Sequence, residues 1–355
     1  MRKPAPRLTA AILCTGFALT ACAGIPTSAA PHAAPAAPPS IATASIAAAS
    51  IATASIATPA TPLAAVFKVG LGSGASLGGR RVLPKSNPWN TAVDDAAVDP
   101  NSAALIQSIG LTANLHPDFG AHWPKGPFGI PYVVVKGTQK KVKVTFTAYP
   151  KESDRGRYPI PKNAPVEKGS DRHLIVIDRD RWLLYELFGA RRVTGSTAWK
   201  ADSGAIFDLK SNKLRPAGWT SADAAGLPIF PGLVRYDEVK AGAITHALRF
   251  TVQETRRAYV SPARHYASDD TSENLPPMGM RVRLKADFNI AGFPWQARRV
   301  LQAMKTYGMI VADNGSDWYV SGAPDKRWND EALNTLKSVA GSNFEVVAMG
   351  AVVAG

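Results

Sequence analysis

The chain has 355 residues, a formal net charge of +14 and two cysteines, Cys14 and Cys22, both near the N-terminus. The globular part can therefore form no internal disulfide, and it offers no thiolate nucleophile and no cysteine-ligated zinc site. About 280 residues remain for that part, which is enough to bury a stable core without such links.

The first 22 residues have the pattern of an export signal. Three basic residues within the first seven precede an uncharged apolar run, Leu8 to Leu19, which is too short to span a bilayer as a stable helix. Thr20 and Ala21 then lead into Cys22, and this ending resembles the lipobox of bacterial lipoproteins. The resemblance implies a signal peptide over residues 1–21, acylation of Cys22, and a membrane-anchored protein facing the periplasm or the cell exterior. The alternative is a plain secretory signal, which would release the protein.

A low-complexity tether is predicted over residues 22–80. No charged residue lies between Arg7 and Lys68, and pentads that begin Ser-Ile-Ala repeat from Ser40 to Pro59. A period of five fits neither a helix nor a strand, and this composition buries too little apolar surface to offset the entropy lost on ordering. We expect a disordered linker up to residue 80 and a single globular domain over residues 81–355.

The basic charge predicts an anionic partner. The mature chain would still carry +11 after the three basic residues of the signal are removed. Much of the excess lies between Lys140 and Arg215, which favours a polysaccharide or another anionic polymer of the cell envelope. No nucleic acid is expected, because the sequence has no zinc-finger spacing, no RNP pattern and no recognition-helix pattern.

Short apolar or alternating runs separated by turn residues predict a domain of mostly antiparallel strands. The expected fold is mainly β with helical additions (α+β), a sandwich or jelly-roll-like single domain. Three helices are expected, over residues 98–109, 294–307 and 329–339. The predicted strands span residues 132–135, 142–146, 174–177, 182–188, 248–252, 258–260, 280–284 and 344–349.

One hairpin carries the first catalytic candidate. The runs HLIVID and RWLLYELF join through Asp178-Arg179-Asp180, and the first run lacks alternation, which indicates burial on both faces. In the second run Glu186 shares a face with Leu184 and Phe188. A carboxyl on an apolar face is a position where the pKa rises and a general acid can reside.

Several other chemistries lack support in the sequence. There is no HExxH and no His pair at helical spacing, so we assign no metal site and no cofactor. There is also no GxSxG elbow, and the run LGSGASLGG lacks the lysine and the strand–loop–helix setting of a P-loop.

Carboxylates and aromatic rings remain, and they predict polysaccharide cleavage by a glycoside hydrolase or a polysaccharide lyase. A hydrolase needs two carboxyl groups beside rings that stack on sugars, whereas a lyase needs a His or Tyr base with a cation nearby. The alternative is a non-enzymatic surface lipoprotein that binds glycan or another envelope polymer. The catalytic candidates are Glu186, Asp208, Glu238, Asp313, His173 and His246. The substrate-binding candidates are Trp199, Trp219, Trp318, Arg235 and Tyr236.

Three stretches carry a resemblance to known proteins. They are WTSADAAGLPIFPGLVRYDEV, NLHPDFG followed by GIPY, and DNGSDWY. Together they resemble secreted bacterial proteins of unassigned activity. The resemblance implies one coherent exported domain and assigns no catalytic residue.

Overall fold

The computed structural model describes residues 68–123 and 126–355. The predicted signal peptide, Cys22 and the pentad repeat lie outside the described residues.

Strands outnumber helices in this part of the chain, which has nineteen strands and four α-helices. The strands are β1 (Gly72–Ser73), β2 (His116–Asp118), β3 (Gly120–Trp123), β4 (Gly126–Phe128), β5 (Tyr132–Val135), β6 (Val142–Phe146), β7 (Arg157–Tyr158), β8 (Leu174–Asp178), β9 (Leu183–Phe188), β10 (Arg191–Arg192), β11 (Trp199–Ala201), β12 (Ser203–Asp208), β13 (Leu248–Val252), β14 (Ala258–Val260), β15 (Arg281–Leu284), β16 (Met309–Asn314), β17 (Tyr319–Ser321), β18 (Phe344–Val346) and β19 (Val352–Ala354). The α-helices are α1 (Ser102–Ile109), α2 (Tyr236–Ala241), α3 (Trp295–Thr306) and α4 (Asp330–Asn334). Short 3-10 turns cover Pro88–Asn90, Phe230–Gly232, Thr335–Ser338 and Gly341–Asn343.

The strands form three larger sheets and two strand pairs. The larger sheets have the orders β1-β5-β8-β9-β12, β10-β11-β6-β7 and β18-β15-β16-β13-β17-β2, and the pairs are β3-β4 and β14-β19. This confirms a mainly β fold with a few helices. The sheets are mixed, because β5–β8, β6–β11, β13–β16 and β2–β17 pair in parallel. Long connections lie between these partners, whereas tight hairpins give only antiparallel pairs. The jelly-roll-like arrangement stays a prediction.

The five-stranded sheet is buried on both faces, as the lack of alternation in β8 predicted. Ile175 and Ile177 belong to the main hydrophobic core, while Leu174 and Val176 belong to a second core. That second core also holds the inward residues of the four-stranded sheet, so the two sheets pack face to face. The hairpin of β8 and β9 is confirmed as an antiparallel pair.

The ordered domain begins earlier than residue 81, which corrects the expected end of the tether. β1 pairs with β5, and Val69 and Leu77 are buried in the main core. The Gly- and Ser-rich composition of residues 70–80 was read as linker, but its few apolar residues are enough to fix the segment on the sheet edge.

The six-stranded sheet has one apolar and one polar face near its β2 edge. Phe250 of β13 pairs with Val320 of β17, and both belong to the main core. Because side chains alternate along a strand, the residues next to them point to the opposite face. No helix within residues 68–123 and 126–355 has the length and apolar character needed to cross a membrane.

Candidate functional site

Polar side chains occupy two adjoining rows on one face of the six-stranded sheet. Successive pairings of β16 with β13, β13 with β17 and β17 with β2 build the first row. Its members are Asp313, Thr251, Tyr319 and His116. The second row consists of Arg249, Ser321 and Asp118, of which Ser321 and Asp118 are paired in register. Register therefore gathers groups from four strands that are distant in sequence.

A β-bulge brings Asp313 into the first row. Phe250 lies opposite Val311, but Thr251 lies opposite Asp313, so Ala312 is the extra residue. With a regular register, Ala312 would take the polar face and Asp313 would point toward the core. The bulge re-aims the carboxyl of Asp313 to the polar face.

Arg249 is the centre of this cluster, and its side chain is only 5% exposed. Its Nε and Nη2 donate to the two carboxylate oxygens of Asp223 at 3.0 and 3.2 Å. Nη2 also donates to Asp313 Oδ2 at 3.0 Å, and Nη1 donates to Ser321 Oγ at 2.7 Å. One guanidinium thus faces two carboxyl groups, and the bidentate geometry favours Asp223 as the ionised partner.

The pKa of Asp313 is raised to about 7, first by desolvation and then by the charge of Asp223, against the opposing effect of Arg249. The side chain of Asp313 is still 27% exposed, so solvent reaches part of it beside the buried Arg249, and we call this part-exposed surface around Asp313 the recess. Desolvation also raises the pKa of the fully buried Asp223. Desolvation and the charge of Asp223 outweigh Arg249, so Asp313 holds its proton at pH values below about 7.

His173 and Glu167 form a second pair beside the cluster. His173 Nδ1 lies 2.5 Å from Glu167 Oε2, and Nε2 lies 3.2 Å from the carbonyl oxygen of Ala222. Both ring nitrogens face acceptors, so the imidazolium form satisfies both contacts. Burial lowers the pKa of His173, but the hydrogen bond and the charge of Glu167 outweigh that effect and leave the pKa raised. Burial raises the pKa of Glu167, but its bonds to His173 bring the pKa below the ordinary value.

Asp118 supplies an exposed carboxyl on the same sheet face, with β13 and β17 between its strand and that of Asp313. Desolvation raises its pKa, the nearby Glu167 and Asp171 raise it further, and Arg249 opposes them. The charges of Arg249 and Glu167 therefore both act on the carboxyl of Asp118. This sheet face therefore has one part-exposed carboxyl with a raised pKa, that of Asp313, and one exposed carboxyl, that of Asp118. The cations near them, Arg249 and His173, are buried.

A groove of about 600 Å³ is lined in part by the sequence neighbours of Glu167. Val166 and Lys168, which flank Glu167, line one wall, and Pro324 and Arg327 lie on another. Phe128, Pro127, Pro131 and Pro165 are among its other lining residues, together with the cationic Lys326.

Glu186 is fully buried on β9 and lies away from solvent. Its Oε1 accepts hydrogen bonds from the backbone nitrogens of Ile229 and Phe230 at 3.1 and 2.8 Å. Desolvation raises the pKa of Glu186 to about 7, although these two bonds lower it. The expected pKa shift is therefore present, but the carboxyl holds a loop in place and has no open path to substrate in this conformation.

Arg235, Glu238 and His246 form a second group of predicted site residues. Arg235 Nη2 donates to Glu238 Oε1, and His246 Nε2 lies 3.0 Å from Glu238 Oε2. Burial raises the pKa of Glu238, but Arg235 and His246 bring it below the ordinary value. The three residues line a cavity of about 440 Å³ together with Arg80 and Arg81. Each of the three side chains has at least one partner, although the buried Arg235 Nε has none, and the group has the character of a structural ion-pair network.

The other predicted site residues are dispersed. Asp208 is exposed at the end of β12, with Oδ1 3.9 Å from Lys210 Nζ. Trp199 is buried in the second core, and Trp219 is half-buried with the guanidinium of Arg215 5.7 Å from its ring. Tyr236 packs edge-on against the ring of Trp328.

Trp318 cannot present a ring face to a sugar in this structure. Its side chain is 0% exposed, with Phe250 and Phe344 stacked on it at centroid distances of 5.7 and 4.9 Å. Its Nε1 donates to the carbonyl oxygen of Gly110 at 3.1 Å. A better platform is the neighbouring Tyr319, which stacks on His116 at 4.0 Å and is half-buried.

The structure thus brings His173 and Asp313 to one site and adds residues that the sequence did not single out as catalytic. These are Asp118, Glu167, Asp223, Arg249 and Ser321. Arg249 had a visible signal, since it is a charged residue inside the apolar run of β13, whereas Asp223 and Glu167 lie in loops with no pattern. No group of three or more His, Cys, Asp or Glu side chains suited to hold a metal ion occurs among the described residues.

No family model, curated protein or solved structure matches the chain. The candidate site therefore rests on its own geometry.

Proposed function

We propose that the recess around Asp313 is the catalytic site of an exported, lipid-anchored glycoside hydrolase that cleaves polysaccharide. The observation that carries the proposal is the part-exposed carboxyl of Asp313, whose pKa is raised to about 7, on the same sheet face as the exposed carboxyl of Asp118. Glycoside hydrolysis needs two carboxyl groups, one that donates a proton and one that acts as a carboxylate.

In the proposed reaction, Asp313 donates its proton to the glycosidic oxygen as the bond to the anomeric carbon breaks. Asp118 is the proposed second carboxylate, which removes a proton from the attacking water as in an inverting enzyme, because β13 and β17 separate its strand from that of Asp313. Arg249 holds Asp313 in place, and Asp223 takes up the charge of Arg249 so that Asp313 keeps its proton. The groove lined by Val166 and Lys168 would hold the sugar chain.

A polysaccharide lyase is the second candidate, and one observation favours it. Burial, together with the charge of Lys337, lowers the pKa of His116, so a neutral imidazole lies against the Tyr319 ring on the same sheet face. Such a pair can act as base and acid in β-elimination. His173 and His246 fit this role less well, because acceptors occupy both nitrogens of each ring.

The test is a screen of the purified full-length protein against neutral and uronate-containing polysaccharides. Reducing ends report hydrolysis, and ultraviolet absorbance of unsaturated products reports elimination. We expect new reducing ends without that absorbance, and a loss of kcat of roughly 10²- to 10⁴-fold in Asp313→Asn and in Asp118→Asn. Absorbance that disappears in His116→Ala would instead establish the lyase.

Asp208→Asn is the matched control, because it removes an exposed carboxylate outside the recess, and its activity should equal that of the unmodified protein.

The activity of the unmodified protein should fall as the pH rises through about 7, since Asp313 then loses the proton that it must donate. Unchanged activity in Asp313→Asn would exclude the assigned acid. Binding without any product across the whole panel would favour the non-enzymatic alternative.

A further inference from the structure

The outer face of the four-stranded sheet carries a track of cations. On β6, β7 and β11 the residues Val142, Val144, Tyr158, Trp199 and Ala201 point inward and belong to the second core. The residues that alternate with them therefore point away from the protein. On that outer face lie Arg191, Lys200, Thr145, Lys143 and Arg157, all exposed, and we call them the basic sheet face.

Like charges lie directly opposite one another on this face. Arg191 pairs in register with Lys200 across β10 and β11, and Lys143 pairs with Arg157 across β6 and β7. Directly opposed like charges destabilise a sheet. The two pairs cost stability in the free protein, and an anionic partner would remove that cost.

Acidic side chains do little to neutralise the track. Asp202 lies 3.4 Å from Arg191 Nη1. Among the described residues no carboxylate forms an ion pair with Lys143, Arg157 or Lys200. The nearby Asp154 is held by Arg215 at 2.5 Å, so its charge is already compensated.

More cations surround the track, and the acids near them are engaged elsewhere. Lys140 and Arg155 are exposed and lie close in sequence to Lys143 and Arg157. The other acid in this region, Glu152, accepts a hydrogen bond from the backbone nitrogen of Thr220 at 3.1 Å. The local excess of positive charge therefore faces solvent.

We propose that the basic sheet face binds a linear acidic polysaccharide. Adjacent strands lie about 4.8 Å apart, so the four strands spread the cations along a track of roughly 14 Å, which suits an extended polyanion. In naming the substrate class, the inference rests on the proposed function: the face would hold an acidic chain whose cleavage takes place in the recess.

The composition of the face favours a soluble polyanion over a membrane or a nucleic acid. Its outward residues are four cations and Thr145, with no aromatic or large aliphatic side chain. A surface that lies on a bilayer inserts such side chains, and a single-stranded nucleic acid stacks its bases on aromatic rings.

The test measures binding of the full-length protein to polygalacturonate at low ionic strength, with dextran as the neutral polymer. The variant Lys143→Glu/Arg157→Glu reverses one opposed pair. We expect polygalacturonate binding that weakens with added salt, no dextran binding, and a loss of affinity of roughly tenfold or more in the variant. Lys143→Gln/Arg157→Gln should give an intermediate loss, and circular dichroism checks that both variants fold.

The matched control is Lys213→Glu/Arg299→Glu, which makes the same change in net charge at two exposed positions on other elements. Its affinity should stay near that of the unmodified protein. Equal losses in both charge-reversal variants, or no loss in either, would overturn the proposal. So would tighter binding to phosphatidylglycerol vesicles or to single-stranded DNA that depends on Lys143 and Arg157.

Binding and cleavage are separate readouts. Binding that depends on the face, without cleavage of any polysaccharide, would count against the proposed function alone. Cleavage that is unchanged in Lys143→Glu/Arg157→Glu, with unchanged binding, would count against the basic sheet face alone.

Discussion

At the scale of single residues, Arg249 is the side chain on which the recess depends. It is buried, it binds Asp223 through two nitrogens, and it holds Asp313 and Ser321 as well. A buried ion pair adds little stability compared with an apolar core, but the removal of one partner leaves an uncompensated charge. Arg249 therefore matters to folding and to the protonation of the site at once.

Arg249→Met should lower the free energy of unfolding by roughly 3–5 kcal/mol at neutral pH, because Asp223 would stay buried without its partner. Urea denaturation followed by circular dichroism measures this change. Arg299→Met is the control, since Arg299 is exposed on α3 and its loss should change stability by less than about 0.5 kcal/mol. Equal stabilities for the two variants would show that the ion-pair cluster is not formed.

The buried carboxyl of Glu186 leads to a second prediction, which concerns how stability depends on pH. Its pKa is raised from 4.5 to about 7 in the folded protein, so the folded state holds this proton more tightly than the unfolded state does. The contribution to stability is complete below pH 4.5 and is lost as the pH rises through about 7. Glu186→Gln keeps an acceptor for the nitrogens of Ile229 and Phe230 but does not ionise. Its melting temperature should fall less between pH 5 and pH 8 than that of the unmodified protein, and parallel curves would contradict the assigned pKa.

Sequence patterns identified individual carboxyl groups, but they did not show how far each carboxyl is exposed to solvent. Asp313 and Glu186 were recognisable because a carboxyl next to a buried strand is unusual, and both have a raised pKa. Their different surroundings were not visible, because access to solvent depends on which loop covers the strand. Trp318 was selected as a ring in a turn, but the tertiary fold encloses that ring.

At the scale of elements, the β-bulge at Ala312 determines which side of β16 carries the acid. Alternation predicts strand faces only while the register is regular, and no residue in VADNG signals a shift. The parallel pairing of β17 with β2, which brings Asp118 beside Ser321, joins segments about 200 residues apart in sequence. Neither feature follows from local patterns, whereas the hairpin of β8 and β9 does.

The cap of α4 is formed by a residue type that favours helix starts. Asn329 precedes the helix, and its side chain accepts a hydrogen bond from the backbone nitrogen of Ala332 at 2.9 Å. Asn329→Ala should lower stability by about 1 kcal/mol, since one orphan donor of the first turn loses its partner. Glu331→Ala, an exposed change in the same turn, serves as the control and should cost less. Thermal unfolding of both variants measures the two losses of stability. A smaller loss in Asn329→Ala than in Glu331→Ala would show that the cap is absent.

At the scale of the whole molecule, three sheets are arranged so that the middle one is buried on both faces. The four-stranded sheet covers one face, which leaves its own outer side free to carry cations. The polar face of the six-stranded sheet carries the acids. The proposed function would use the cationic surface to bind acidic chains and the separate recess around Asp313 for the chemistry.

The protonation of Asp313 is the central claim, and it can be measured without knowing the substrate. Carboxyl carbons are labelled with ¹³C, and NMR spectra of the unmodified protein and of Asp313→Asn are compared across pH 3 to 9, so that the resonance missing from the variant identifies Asp313. The structure predicts that this carboxyl titrates at about pH 7. Titration near the ordinary value of 3.8 would contradict the account, because Asp313 would then hold no proton to donate at neutral pH.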